Sequence, residues 1–228
     1  MNAIILCSGG LDSVAVAHSI KEDMGNIKIL FINYGQRTNK EEEEYARLCA
    51  KDIEAEFIKI ELPWLKTLCT SKLTNSEDLP KPDVSNVERS KEDILCYWVP
   101  ARNSLFVTIA LSLAESLDLQ GKGVFDIYLG IKNEGNVQMK DTTPEFIEVM
   151  NKVSKQATHH GRYKVIAPFI NMDKVELVKK YDHLVPWEKT YSCYKGGELH
   201  CGECENCILR KKAFYWANIK DPTKYVNE

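Results

Sequence analysis

No stretch of this chain is apolar for the roughly 18 residues that a membrane-spanning helix needs. The N-terminus has no basic region, and its first apolar run is cut at Ser8-Gly9, so no secretory signal is expected. An excess of basic charge is also missing. Thirty Lys and Arg stand against 33 Asp and Glu, for a formal net charge of -3. Nucleic acid and membrane are therefore not expected partners. There is no internal repeat and no low-complexity segment. The 228 residues, 44% of them hydrophobic, suffice for one large domain, or for one domain and a small appendage. The expected location is the cytoplasm.

What the chain does have is a glycine-rich loop between two elements. Ala3 to Cys7 reads as a buried parallel strand and Val14 to Ile20 as a helix, with Ser8-Gly9-Gly10-Leu11-Asp12-Ser13 between them. A helix start leaves N–H groups without intrahelical acceptors and carries partial positive charge, so an anion belongs there. Gly9 and Gly10 let the backbone adopt positive φ and admit a phosphate where a Cβ would block it. Ser8 and Ser13 are expected to donate hydroxyl hydrogen bonds to phosphate oxygens. Asp12 is out of place beside an anion unless a divalent cation lies between, which implies Mg2+. The loop matches neither G-x-x-x-x-G-K-[ST] nor G-x-G-x-x-G. It resembles the S-G-G-x-D-S pyrophosphate loop of the ATP pyrophosphatases, which adenylate a carboxyl or carbonyl oxygen. The plain alternative is an ordinary strand-to-helix turn.

Further strands are predicted at Ile27 to Asn33 and Phe57 to Leu62, with a helix from about Lys40 to Ile53 between them. The acidic run Glu41 to Glu44 complements that helix's dipole, and Glu42 to Glu44 read as a solvated face. This alternation predicts an α/β fold with a parallel, doubly wound sheet and ligands beyond the strands' carboxyl ends. Residues 69–93 have little periodicity and read as a surface loop that covers the site or meets a partner. An apolar helix follows from Ser104 to Leu117, then a strand from Gly123 to Gly130. Pro144 opens another helix. Tyr163 to Ala167 reads as a short fifth strand, and a helix runs from Asn171 or Met172 to about Tyr181.

Cys193, Cys201, Cys204 and Cys207 form C-x7-C-x2-C-x2-C. Four thiolates at this spacing favour Zn2+ in a closed structural site. An iron–sulfur cluster is the runner-up, disfavoured by the lack of a Pro after Cys207. Disulfides do not suit an intracellular chain. His200 could replace one ligand. The other cysteines, Cys7, Cys49, Cys69 and Cys96, read as small core residues or bystanders. Arg210-Lys211-Lys212 with Phe214, Tyr215 and Trp216 reads as a solvated amphipathic helix. The expected division is an adenylating ATP-pyrophosphatase domain (HUP-like) over 1–187 and a C-terminal zinc-binding helical segment, 188–228, packed on it.

With these pieces the chain resembles the 7-cyano-7-deazaguanine synthase family (QueC) of queuosine biosynthesis. The matching residues are Ser8 to Ser13, Tyr34-Gly35-Gln36-Arg37 with Glu41, Val99-Pro100-Ala101-Arg102-Asn103, Gly130, Lys174 with Glu176, Ser192-Cys193-Tyr194, and Cys201 to Arg210. The resemblance implies a ligase that activates 7-carboxy-7-deazaguanine with ATP, releases pyrophosphate, forms an amide with ammonia, and dehydrates it to a nitrile. It implies ATP, Mg2+ and Zn2+. Asp12 and Arg102 would carry the chemistry, and the Ser8 to Ser13 loop, Arg37 and Arg102 would bind nucleotide. Asn103, Gly130, Asp141 and Lys174 would meet the substrate. Leu11 and Thr38 stand where the family usually has Gln and His. The family's Gly-Tyr-Pro-Asp-Cys-Arg after Gly130 is not recovered, and Asp141 stands in for its Asp.

That departure motivates a variant that stops at an amide or joins the deazaguanine to a protein amine, as in QueC-like members of antiviral gene clusters. A non-catalytic ATP- and zinc-binding interaction module is the reading from another class; it predicts ATP binding without pyrophosphate release. Glu134, Asp141, His159 and His160 are candidate bases for the attacking amine. A homodimer is left open.

Overall fold

The computed structural model describes residues 1–75, 78–80, 95–133 and 139–226. The strands are β1 (Asn2–Leu6), β2 (Asn26–Asn33), β3 (Glu56–Glu61), β4 (Phe125–Leu129) and β5 (Val165–Ile166). The helices are α1 (Leu11–Ile20), α2 (Asn39–Asp52), α3 (Arg102–Leu119), α4 (Pro144–Ala157), α5 (Lys174–Tyr181) and α6 (Glu205–Ala217). All strand pairs are parallel, in the order β3-β2-β1-β4-β5. Chain direction across the sheet reverses at β1, where a ligand crevice opens in such folds.

The two-residue period of the strands divides the core. Ala3 and Ile5 of β1 join Ile29 and Phe31 of β2 beneath α1, α2, α5 and α6. Ile4 joins Leu30, Ile127 and Leu129 beneath α3 and α4. Both faces are covered, so β1 and β2 are apolar nearly throughout rather than alternating. Each fully buried Ile or Leu contributes about 1.5–3 kcal/mol. Helix α6 buries Ala213, Phe214 and Ala217 in the same core as α1 and α5. Arg210, expected on a solvated face, is 1% exposed, while Lys212, Tyr215 and Trp216 do face solvent.

Several boundaries differ from expectation. Helix α1 begins at Leu11 rather than Val14, because Gly10 is already its cap and accepts the Val14 N–H at 3.0 Å. Helix α3 begins at Arg102, after Ala101 turns the chain at φ 53°. Only two residues of the fifth strand pair with β4. In the expected 69–93 loop, residues 76–77 and 81–93 lie outside the described residues. No described helix is long and apolar enough to cross a membrane.

Candidate nucleotide site and cysteine centre

The carboxyl ends of β1, β2 and β4 open into a cavity of about 410 Å3, with Ser8, Gly10, Leu11, Asp12 and Ser13 along one side. Gly9 takes φ +73° and presses against α2; a Cβ there would sit 2.6 Å from Tyr45 Cβ and 2.8 Å from Ala46 N. Gly10 does not take positive φ. It is extended at φ -75°, ψ 160°, as the cap of α1 requires. Ser8 Oγ accepts the Gly10 N–H at 3.4 Å and keeps its proton for a ligand. Ser13 instead donates to the Gly10 carbonyl at 3.1 Å. Gly130 serves close packing: a Cβ would stand 2.6 Å from Ser13 N and 2.7 Å from the Asp12 carbonyl carbon.

Asp12 forms two ion pairs, Oδ2 with Lys174 Nζ at 2.9 Å and Oδ1 with Lys132 Nζ at 3.0 Å. Burial pushes its carboxyl up, but Lys174 and Lys132 together outweigh this and hold it below the usual carboxylate range. The chain itself thus balances the charge that seemed out of place. Oδ1 is buried against Lys132, and Oδ2 keeps a lone pair beyond its Lys174 contact, so the carboxylate could offer one oxygen to a hard divalent cation. Sequence reasoning missed Lys132, which belongs to no motif; its signal is its place just beyond a strand that ends at the loop. Lys174 opens α5, which Asp173 caps. Asp173 accepts from Glu176 N, and Glu176 accepts from Asp173 N in return.

Across the cavity, Arg102 Nη1 donates to the Tyr34 hydroxyl at 3.3 Å. Burial pushes the Tyr34 phenol up to about 12 against the pull of Arg102. Burial would lower the guanidinium's own pKa, but Tyr34 and Asp141 hold it above its usual value. Asn103 Nδ2 donates to the Asp141 carbonyl at 3.2 Å. Asp141 is buried but does not line the cavity, and burial pushes its carboxyl up against the pull of Arg102.

Arg37 is half-buried and does not line the cavity; its backbone N–H donates to Leu73 O at 2.8 Å. Its neighbours do line it. Thr38 Oγ1 donates to Glu42 Oε1 at 2.6 Å, and Gln36 Nε2 to Oε2 at 3.0 Å. Glu42 therefore belongs to the cavity wall, not to a solvated face, and burial pushes its carboxyl up. Four consecutive acids hide the one that the helical period turns inward. Glu43 stays at the surface with Arg47 and Lys59. His160 pairs with Asp118 at the last turn of α3, and the tilted His159 ring packs beside it, so both lie away from the loop at the start of α1. Glu134 lies outside the described residues.

The sulfurs of Cys193, Cys201, Cys204 and Cys207 all lie within 4.8 Å of one another. Ligands at about 2.3 Å around a tetrahedral Zn2+ would stand about 3.8 Å apart, and Cys201 and Cys207 are 3.9 Å apart. Backbone N–H groups of Lys195 and Cys201 donate to Cys193 Sγ, and that of Cys204 to Cys201 Sγ. These donors suit thiolates, so the set fits zinc. His200 is not a ligand: its Nε2 accepts the Ser192 N–H at 2.9 Å. Burial lowers its pKa to about 4, which keeps the ring neutral. The segment leading into the centre, Tyr191 to Tyr194, forms another wall of the cavity.

A parallel sheet with a glycine-rich loop at its central strand, facing a cavity that a cysteine centre helps to wall, defines an α/β fold of the ATP-pyrophosphatase kind. The chain belongs to the queuosine biosynthesis protein QueC family, which matches residues 2–218. It is 38% identical to the 7-cyano-7-deazaguanine synthase of Methanosphaera stadtmanae, over 98% of this chain and 97% of that one. It is 37% identical to that of Methanothermobacter thermautotrophicus, over 99% of each. Among solved structures it is similar to the NMN synthetase of Francisella tularensis, with TM-score 0.40 and 11% identity over 95% of this chain and 83% of that one.

Proposed function

We propose that this chain adenylates the carboxylate of 7-carboxy-7-deazaguanine with ATP and then joins the activated carbon to an amine nitrogen. With ammonia the product is the amide, formed as AMP leaves the activated carbon; a second ATP then activates the amide oxygen, AMP carries that oxygen away, and the nitrogen loses two protons to leave the nitrile. Belonging to the QueC family supports an enzyme of C–N bond formation, and the relatives' names support the nitrile as end product. The observation that carries the reading is Lys174 paired with Asp12 at the open N-terminus of α1, in a cavity that Arg102 also lines.

The residues divide the work by position. The first N–H groups of α1 and the Ser8 hydroxyl would bind phosphate oxygens. Lys174 and Arg102 would stabilise the charge that grows on pyrophosphate as a substrate carboxylate oxygen attacks the α-phosphorus. Asp12 would hold Mg2+, which supplies further positive charge to the leaving group. Tyr97 and Tyr194, rings 5.2 Å apart in the cavity wall, would receive the flat base. Zn2+ at the four cysteines would fix Tyr194 without taking part in the reaction.

Pyrophosphate release from ATP and 7-carboxy-7-deazaguanine, with ammonium present and the purine product followed by mass, tests the reading. Release should require the base and fail in Asp12→Ala. A product that stays at the amide, or a mass gain on a protein, would replace the nitrile reading. ATP binding without release would favour the non-catalytic one.

A further inference from the structure

Lys132 is the buried charge that the proposed chemistry leaves without a role. Its side chain is 3% exposed, against 18% for Lys174. Lys174 lines the cavity and Lys132 does not. Lys132 therefore approaches Asp12 from behind, through protein, while Lys174 approaches from the side open to ligand. The backbone around Lys132 is fixed at both ends. Gly130 packs against the first turn of α1, and the Asn133 N–H donates to Ile170 O at 2.8 Å. A buried ammonium is costly unless a close counter-charge offsets its lost hydration. Asp12 Oδ1, at 3.0 Å, supplies one.

We propose that Lys132 is a positioning residue: it fixes Oδ1 of Asp12, and so leaves Lys174 able to exchange between Oδ2 of Asp12 and an incoming phosphate. The two lysines thus have unequal roles at one carboxylate. Lys132 sets where Asp12 stands whether or not nucleotide is present. Lys174 is the cation that a phosphate meets. Loss of Lys132 harms turnover through a misplaced Asp12, and loss of Lys174 harms nucleotide binding directly. The turnover part of this assignment rests on the adenylation reading; the geometric part does not.

The test compares wild type, Lys132→Met, Lys174→Met, Asp12→Asn and the Lys132→Met/Asp12→Asn double variant as full-length, zinc-loaded proteins. ATP affinity is measured by calorimetry and pyrophosphate release with 7-carboxy-7-deazaguanine. Lys132→Met should lower kcat about 30-fold while ATP affinity stays within about threefold, and Lys174→Met should weaken ATP binding about 10-fold. In the Asp12→Asn background, Lys132→Met should cost no more than about a further threefold in kcat. Independent losses at the two positions, an unchanged kcat, or an ATP affinity that falls as far as in Lys174→Met would overturn the assignment.

A second readout needs no turnover. Among the described residues, Lys132 from beyond β4 and Lys174 from α5 are the charges that face Asp12. In Lys132→Met the Asp12 carboxyl carbon resonance should titrate about one pH unit higher than in wild type. If wild type binds ATP but releases no pyrophosphate, the adenylation reading fails and this resonance alone decides the assignment; an unmoved titration sinks it. Lys132→Gln serves if Lys132→Met does not fold. Failure of both to fold would assign Lys132 to the core and overturn the proposal.

Discussion

Glu41 Oε1 accepts the backbone N–H of Gly197 at 2.7 Å, so α2 holds the loop between Cys193 and the other three cysteines. The first turn of a helix that packs on the sheet thereby fastens the cysteine cluster to the sheet. Removing the carboxylate should loosen that loop without touching a sulfur. Glu41→Ala should lose about 1 kcal/mol of stability and release zinc to a chelator several times faster, with the initial metal content still about one ion per chain. Zinc loss followed with a chromogenic chelator checks this; a release rate equal to wild type would refute it.

The buried ion pair of Arg210 with Asp221 gives a prediction with a pH signature. Arg210 also donates to Thr190 Oγ1, Ser192 Oγ and the Trp187 carbonyl, so one guanidinium ties the 187–192 segment to α6. Asp221→Asn leaves that charge without its carboxylate and should cost about 3 kcal/mol at neutral pH. Burial pushes the Asp221 carboxyl up, but Arg210 together with the hydrogen bonds from Tyr225 and Thr223 outweighs it, and the net is below the ordinary range. A depressed carboxyl stabilises the fold above its unfolded value, about 3.9, and the benefit is lost as pH falls through the folded value. The urea midpoints of wild type and Asp221→Asn should therefore converge as pH drops from 7 to 3.

Gly130→Ala tests the close approach of β4 to α1. The new Cβ would meet backbone atoms of Asp12 and Ser13 below 3 Å, and neither can rotate away. We expect about 2 kcal/mol of destabilisation and a loss of ATP affinity, since the displaced atoms form the nucleotide loop. A variant with wild-type urea midpoint and wild-type ATP affinity would contradict this packing.

Arg102 faces the cavity as a fork rather than a point charge, which separates its variants. Arg102→Met should reduce pyrophosphate release about 100-fold. Arg102→Lys should recover only part of this, because an ammonium cannot make the planar two-bond contact with a phosphate. Equal rates for Arg102→Lys and wild type would move Arg102 from the reaction to the framework that holds Tyr34.

The parts of this site that could be read from sequence are those written in consecutive residues. Ser8 to Ser13 and the four cysteines declare themselves because a loop or a metal needs its groups close along the chain. Lys132 and Glu42 do not. Lys132 meets Asp12 from 120 positions away, and nothing near it in sequence marks it as buried. Glu42 is one of four adjacent acids, and only the packing of α2 selects which one turns inward. Gly10 is held extended for a local reason. Two glycines in a row invite positive φ at both, yet a helix cap wants the second one extended. The alternation of strands and helices located every strand of the sheet, while strand and helix ends moved by a few residues wherever a cap or a left-handed residue set them.

The Tyr191 N–H donates to Gly9 O at 2.8 Å. The glycine-rich loop is thus steadied by a residue made 182 positions after it. At about 5–20 residues per second, a ribosome emits the loop on the order of 10 to 40 s before its brace. During that interval the nascent chain has β1 and the glycine-rich loop but lacks the Tyr191 to Tyr194 wall and the cysteine cluster. The glycine-rich loop therefore stays without this backbone brace until nearly all of the chain has been translated.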